Sequence, residues 1–173
     1  MKIIRKPNEG EYAPYAIMYI RLIFDDGMLL THLQDNLKST QALIHGLPVE
    51  KLAQRWAEGE WTIKEILVHM IDTERIFCYR ALRFARNDAT ELTGFEQDDY
   101  VPYSGANERK IEEIMEEYAA VRQATITFFN SLEEEAFTRS GIVNGNRVSV
   151  RAAAWMIAGH ELHHLNSIRE HYL

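Results

Sequence analysis

Apolar residues recur every three or four positions in four separate stretches of the chain, as they do in helices that bury one face. The third stretch keeps this period closely, at Ile111, Ile114, Met115, Tyr118, Val121, Thr125, Phe128, Phe129 and Leu132. The pattern predicts four long helices, over residues of about 27–45, 63–86, 108–132 and 150–171. The chain is therefore predicted to be all-α.

The predicted helices are bounded by residues that usually start or end a helix. At each start stands a side chain that can accept a hydrogen bond from a free backbone N–H: Asp25 or Asp26, Thr62, Asn107 and Ser149. Thr62 is followed three residues later by Glu65, which is the pattern of a capping box. The first helix is expected to stop at Gly46, with Pro48 just beyond it.

The connections between these helices carry few strand signals. Residues 1–24 are predicted to form an extended N-terminal lead-in with one helical turn, which packs across the other helices. The long connection 88–106 is either a lid over a site or a packing arm. Before the last helix, Asn144-Gly145 lies between apolar residues and predicts a small hairpin. We predict one domain, residues 1–173, folded as a four-helix bundle.

Charge and composition argue against several classes of function. The chain of 173 residues has a formal net charge of −7, which disfavours a nucleic-acid binder that relies on a broad basic surface. The longest apolar stretch, around residues 152–158, is far too short to cross a membrane, and no apolar signal segment follows the N-terminus. A single cysteine, Cys78, permits no intramolecular disulfide and favours a reducing, cytoplasmic compartment. We expect a cytoplasmic protein that acts on a small molecule.

Two histidines in the last predicted helix carry the main chemical signal. His160 and His164 are four residues apart, so their imidazoles lie on one helix face, about 6 Å apart along the axis and about 40° apart around it. Their neighbours on this face are small and apolar, and a buried imidazole needs a hydrogen-bond partner or a metal. Two imidazoles so placed can bind one transition-metal ion. His163 falls on the flank of the face and is not expected to be a ligand.

The sequence from His160 to His164 also matches the signature of zinc proteases, in which Glu161 would be the general base. Those enzymes take their third zinc ligand downstream of the second histidine, where little chain remains here, and no sheet is predicted. The third ligand that fits a bundle is His69, about two turns into the second helix. Three histidines leave a coordination position open, as catalytic sites do, and suit either Zn or Ni.

Several segments of the chain resemble the DinB/YfiT-like superfamily. Residues 61–75 and 158–164 look like its two signatures, and residues 79–86 with 94–100 are similar to one DinB-like subfamily. The resemblance implies a four-helix bundle with an up-down-down-up path, and frequent homodimers. It also implies a divalent metal held by three histidines, which match His69, His160 and His164 in this sequence.

The resemblance further implies a class of reaction. Characterised members include thiol S-transferases that use bacillithiol, isomerases that use mycothiol, and proteins described as metal-dependent hydrolases. Their shared chemistry is a metal that lowers the pKa of a bound thiol or water and so makes a nucleophile at neutral pH. We expect a divalent-metal enzyme that activates a low-molecular-weight thiol for S-transfer. Metal-dependent hydrolysis is the alternative, and a metal-binding stress protein without turnover is a third interpretation.

Polar residues near the histidines have two interpretations each. Four residues lie on the His69 side of their helix and could orient an imidazole: Thr62, Glu65, Asp72 and Thr73. The alternative for Thr62 and Glu65 is that they only cap the helix. Glu74 lies among apolar positions and needs a partner, either an arginine or a tyrosine. Glu161 is either a general base or a surface partner. Arg80 either pairs with an anionic substrate or forms a structural salt bridge.

Overall fold

Four long helices form the body of the protein in a computed structural model that describes residues 1–173. They are α2 (Leu29–His45), α4 (Ile63–Ala85), α6 (Ile111–Ser131) and α7 (Val150–His171). Three short helices lie between or before them, namely α1 (Ile17–Ile20), α3 (Val49–Leu52) and α5 (Gln97–Tyr100). The strands are β1 (Ser140–Val143) and β2 (Asn146–Ser149). None of the helices combines the length and the apolar character that crossing a membrane requires. The predicted all-α four-helix bundle is confirmed.

The path of the chain is up-down-down-up, because the long connection between α4 and α6 returns to the end of the bundle where α4 begins. Lys64 at the start of α4 donates to the carbonyl of Arg109 just before α6, at 2.6 Å, so these two helices are parallel. The hydroxyl of Tyr172, after α7, donates to the carbonyl of Trp61, just before α4. Lys51, which follows α2, donates to the carbonyl of Tyr172 at 2.9 Å. Helices α2 and α7 therefore end together, opposite in direction to α4 and α6.

Of the four predicted helix caps, two are confirmed and two are wrong. The N–H of Glu65 donates to Thr62 Oγ1, and the N–H of Thr62 donates back to the Glu65 carboxylate, which completes the capping box. Ser149 caps α7. The prediction that Asn107 caps the third helix is wrong, because α6 begins only at Ile111. Asn107 instead accepts from Thr62 Oγ1 at 2.8 Å and donates to Glu65 at 2.9 Å, so it ties the chain before α6 to the start of α4.

The predicted cap of the first helix, Asp25 or Asp26, is also wrong. Gly27 adopts a φ of +76°, which turns the chain before α2 begins at Leu29. Asp26 accepts a hydrogen bond from the N–H of Met28 at 2.8 Å, outside the helix. The aspartate therefore stabilises the turn that precedes α2 rather than its first N–H groups.

The predicted hairpin is present between α6 and α7. Strands β1 and β2 pair antiparallel with Val143 opposite Asn146. Asn144 and Gly145 form the two-residue turn with φ of 47° and 73°. Positive φ at both central residues matches the twist of the strands, which is why the Asn-Gly pair predicts this turn.

The N-terminal lead-in packs across α7, as the sequence predicts. A Cβ atom added to Gly159 would lie 2.2 Å from the carbonyl oxygen of Tyr19, so α1 can approach α7 this closely only at a glycine. The next residue is His160, whose ring lies 5.3 Å from the ring of Tyr19 in an edge-on contact. The close approach therefore places an aromatic side chain against the predicted metal site.

A layer of buried polar side chains divides the apolar core into two parts. One part holds Leu29 to Leu33, Phe77 to Ala85 and Val150 to Ala158, and the other holds residues near the start of α4 and α6 and the end of α7. Between them, every long helix contributes polar residues: Thr40 from α2, His69, Thr73 and Glu74 from α4, Arg122 and Thr125 from α6, and His160 and Glu161 from α7. This polar layer contains two of the three histidines that the sequence predicts as metal ligands.

Replacing Gly159 by alanine is expected to lower the free energy of unfolding by about 2 kcal/mol, because the added methyl group overlaps a backbone oxygen of α1. In thermal unfolding, this loss lowers the Tm of a protein of this size by about 4–8 °C. Gly46→Ala is the matched control, since its added Cβ meets its nearest atoms at 3.4 Å and its φ is −79°. If both variants melt like the wild type, the close contact between α1 and α7 does not exist.

Candidate metal centre

Three imidazoles from two helices converge in the middle of the bundle. His69 lies on α4, and His160 and His164 lie one turn apart on α7. Nε2 of His160 is 3.0 Å from Nε2 of His69 and 3.0 Å from Nε2 of His164. Each residue offers one nitrogen atom, and these three atoms lie within 4.8 Å of one another. The structure therefore brings together the three residues that the sequence predicts as ligands.

The antiparallel packing of α4 against α7 positions this cluster. His69 and His160 are buried, while His164 is partly buried at the edge of the polar layer. The ring of Trp61 lies 4.9 Å from the ring of His69. The ring of Tyr19 lies 5.3 Å from that of His160, so aromatic side chains pack against two of the three imidazoles.

Burial keeps these imidazoles neutral at physiological pH. Desolvation lowers the pKa of His69 to about 4. Desolvation, with the neighbouring His69, lowers the pKa of His164 to about 3. The pKa of His160 falls well below its usual value for the same reason, with a further contribution from the other histidines. A neutral imidazole is the form that binds a metal.

The arrangement of the nitrogen atoms suits a cation better than it suits a hydrogen-bond network. A neutral imidazole has a single N–H, so Nε2 of His160 can donate to only one of the two Nε2 atoms that face it. Nitrogen ligands of a tetrahedral zinc ion are about 3.3 Å apart, given Zn–N distances of about 2.0–2.1 Å. The two separations of 3.0 Å from His160 therefore need to widen by only a few tenths of an ångström, and all three nitrogen atoms lie within 4.8 Å of one another. The donor set fits a divalent transition metal.

Thr73 is the polar neighbour that contacts an imidazole. Its Oγ1 lies 3.4 Å from Nδ1 of His69, where it can accept a hydrogen bond from Nδ1–H and leave Nε2 free as a ligand. Asp72 instead lies 3.6 Å from Arg75 at the surface. Thr62 and Glu65 serve the helix start. Of the four candidates for an orienting role, only Thr73 occupies a suitable position.

Glu161 lies in a buried cluster rather than at the surface. Its carboxylate accepts hydrogen bonds from Thr40 Oγ1, at 2.9 Å, and from the hydroxyl of Tyr118. Arg122 Nη1 is 2.9 Å from its second oxygen. Since Glu161 is only 2% exposed, its interpretation as a surface partner is wrong. Both hydrogen bonds end on Oε1, whereas Oε2 accepts none and is only paired by charge with Arg122. The role of Glu161 as a general base stays a prediction.

The expected partner of Glu74 is Arg122, which sequence reasoning did not identify. Arg122 Nε donates to one carboxylate oxygen of Glu74 at 3.0 Å, and Nη2 donates to the other at 2.9 Å. Its Nη1 donates to the carbonyl of Leu33 on α2, at 2.7 Å. Burial by itself would lower the pKa of Arg122, but Glu161 and the other anionic groups around it hold that pKa well above its usual value. Arg122 lies one turn after Tyr118 on the apolar face of its helix, and this position could have identified it as a buried partner for Glu74.

A cavity of about 330 Å³ lies beside the histidines, and His160 forms part of its wall. Aromatic and aliphatic side chains from five parts of the chain make up half of its lining residues, among them Tyr19, Phe77, Phe95, Val148 and Met156. Cavities of this size hold small molecules. The connection 88–106 supplies Phe95 and residues 96–98 to the wall. This connection therefore lines the candidate site, and its movement as a lid stays a prediction.

The geometry of the bundle and the order of the histidines agree with a known family. The family model of the DinB superfamily matches residues 32–168, a range that includes all three histidines. The chain belongs to the DinB superfamily. A candidate metal-dependent hydrolase from Oceanobacillus iheyensis is 25% identical to this DinB-superfamily protein over 129 residues, which are 73% of each chain.

Solved structures show the same fold. YfiT from Bacillus subtilis, described as a probable metal-dependent hydrolase with an unusual four-helix bundle topology, superposes with a TM-score of 0.71 at 14% identity. The match covers 95% of this chain and 90% of YfiT. A mycothiol-dependent maleylpyruvate isomerase superposes with a TM-score of 0.59 at 12% identity, over 87% of this chain and 57% of the isomerase. At these identities the two structures establish the fold alone.

Wild-type protein is expected to bind one divalent ion per chain, and each of the variants His69→Ala, His160→Ala and His164→Ala is expected to bind it far more weakly. Substitutions of residues that only hydrogen-bond to a metal ligand usually lower metal affinity by about 10–100-fold. We expect a larger loss of affinity here, because a ligand itself is removed. Calorimetric titration with Zn²⁺ and Ni²⁺ and metal analysis after dialysis measure this.

The matched control is His163→Ala, since His163 is the next residue to His164 and lies outside the cluster. This variant should bind metal like the wild type. Equal metal content in the wild type and in a triple histidine variant would exclude the three-histidine site.

Proposed function

We propose that this protein is a divalent-metal-dependent enzyme that activates a low-molecular-weight thiol for transfer to a small electrophile. The observation that carries the proposal is that three neutral imidazoles converge where a cavity of about 330 Å³ begins, with His160 belonging to both. Three protein ligands leave a coordination position for a reactant, which distinguishes catalytic from structural sites. Zn and Ni both suit imidazole ligands.

The metal would activate the nucleophile, and residues of the chain would orient a ligand, exclude water and bind the electrophile. When bound, a divalent ion supplies a Lewis acid that lowers the pKa of a thiol or a water molecule. Thr73 holds His69 in the tautomer that leaves Nε2 free. Tyr19 and Trp61 pack against the imidazoles and exclude bulk water, which strengthens electrostatic interactions at the site. The aromatic wall of the cavity, including Phe77, would hold the electrophile beside the histidines.

The lack of a free carboxylate among the imidazoles favours a thiol over water. Hydrolysis commonly uses a positioned general base to take a proton from the attacking water. Glu74 and Glu161, the buried carboxylates of the polar layer, are both paired with Arg122. Glu96 and Asp98 line the cavity but are exposed on its outer side. A thiol, with an ordinary pKa of about 8–9, needs only a modest lowering of its pKa to become a nucleophile at neutral pH.

Metal-dependent hydrolysis is the second candidate. It is supported by the Oceanobacillus protein and YfiT, both of which are described in those terms. The mycothiol-dependent isomerase supports the thiol reaction, since it is a protein of the same fold that uses a thiol. A cytoplasmic, thiol-containing compartment and a homodimer complete the proposal, as the single cysteine and the family resemblance suggest.

Metal-loaded protein is expected to consume bacillithiol in the presence of a panel of electrophiles, at a rate well above that of the variant lacking all three histidines. The reason is that only a metal on these ligands can lower the pKa of the thiol. Loss of free thiol and formation of the adduct are followed together, and His163→Ala is assayed as the variant that should keep full activity.

A parallel panel of esters and amides, without thiol, separates the two candidate reactions. Turnover in this panel that depends on the three histidines would contradict thiol transfer and support hydrolysis. If metal-loaded protein is inactive in both panels, the enzyme proposal is wrong and the protein binds metal without turnover.

A further inference from the structure

Arg80 differs from the other buried arginine in having no acidic partner. Arg80 and Arg122 are the two buried arginines, with 8% and 1% exposure. Arg122 is paired with two carboxylates, whereas no carboxylate oxygen lies within 4.0 Å of Arg80. Its only hydrogen bond runs from Nη2 to the carbonyl of Thr93, at 3.2 Å. The structural salt bridge that the sequence allowed is therefore absent.

A buried guanidinium without a counter-ion is unfavourable unless something else binds to it. The rings of Phe77 and Phe95 lie 5.8 and 5.6 Å from the guanidinium carbon of Arg80, and such contacts compensate only part of the lost hydration. Burial lowers the pKa of Arg80. A guanidinium has five N–H donors, and the structure gives a partner to one of them.

Holding the neighbouring loop does not account for this arginine. Leu92, next to Thr93, is already fixed by backbone hydrogen bonds to the hairpin, donating to Ile142 and accepting from Asn144, both at 2.9 Å. Arg80 adds to this segment only the bond to Thr93 and the contact of its guanidinium with the ring of Phe95. Neither contact supplies a counter-ion for the charge of Arg80.

Arg80 lies in the same cavity as His160 and on the same helix face as His69. It is the only arginine or lysine that lines this cavity. Arg80 and His69 are eleven residues apart, which is about three turns, about 16 Å along the axis and about 20° around it. Helical side chains lean toward the N-terminus, so Arg80 leans toward the histidines. Phe77 lies between them, with its ring 6.2 Å from the ring of His160.

We propose that the cavity binds a small molecule with a carboxylate group, and that Arg80 binds this carboxylate at the end away from the histidines. A planar guanidinium matches a carboxylate through two parallel hydrogen bonds. The apolar surface of Phe77 would contact the body of the molecule. The inference rests on the proposed function in placing the reacting end of this molecule at the histidines. The carboxylate can belong to the electrophile or to the thiol.

The test compares matched acids and amides on metal-free protein, so that no carboxylate can bind to a metal instead. One pair is 4-phenylbutyrate and 4-phenylbutyramide, which stand for the electrophile. The other pair is N-acetylcysteine and its amide, which stand for the thiol. In at least one pair the wild type should bind the acid about tenfold or more tightly than the amide, measured by calorimetry or ligand-observed NMR.

Arg80→Met should abolish that preference, and Arg80→Lys should retain part of it, because lysine keeps the charge but not the planar fork. Arg83→Met is the matched control, since Arg83 is paired with Asp88 and does not line the cavity. Thermal unfolding and metal titration of each variant report on folding. If Arg80→Met does not fold, the test is whether Arg80→Lys prefers the acid over the amide less strongly than the wild type does.

The pair that shows the preference identifies the source of the carboxylate. An equal affinity for acid and amide in both pairs overturns the proposal. An acid preference of wild-type size in folded Arg80→Met, or in Arg80→Lys if Arg80→Met does not fold, also overturns it. Failure of the proposed function has a different signature. In that case the protein binds no metal or shows no turnover, while the acid preference and its loss in Arg80→Met remain.

Discussion

The pairing of Arg122 with Glu74 and Glu161 fixes how the four long helices are aligned along the bundle axis. The arginine on α6 contacts a carboxylate on α4, a carboxylate on α7 and a backbone carbonyl on α2. Removing one member would leave an uncompensated buried charge, which typically costs about 3–5 kcal/mol. Glu161 directly follows His160, and Glu74 directly follows Thr73. The contact that fixes the helix register therefore also brings the histidines together.

The polar layer has a paired part and a part that has room for a ligand. Around Arg122, carboxylates, hydroxyls and a carbonyl satisfy the charge within the protein. The imidazoles beside it are neutral and face one another, and farther along α4 Arg80 is buried without a counter-ion. Both of these groups line one cavity, through His160 and Arg80. The histidines are expected to bind the metal, and Arg80 is expected to bind the substrate.

Local sequence patterns predicted the helices, the hairpin and the pair His160 and His164, because helix period, turn residues and i, i+4 spacing are short-range properties. His69 was predicted from its place in a bundle and from the family resemblance. Side-chain partners on different helices were harder to predict from the sequence. Glu74 was identified as needing a partner, but its pairing with Arg122 depends on the packing of α4 against α6. The caps expected at Asp26 and Asn107 failed because glycine turns and contacts between helices moved the helix starts. The cavity wall around Phe95 comes from a loop whose path only the folded chain defines.

We propose that His69, His160 and His164 together bind one divalent ion and leave a position open to a thiol. X-ray absorption spectroscopy of the zinc-loaded protein tests it most directly. We predict three imidazole nitrogens at about 2.0–2.1 Å and, after addition of bacillithiol, one new sulfur neighbour at about 2.3 Å. A spectrum with fewer than three imidazoles, or one that a thiol leaves unchanged, would contradict this account.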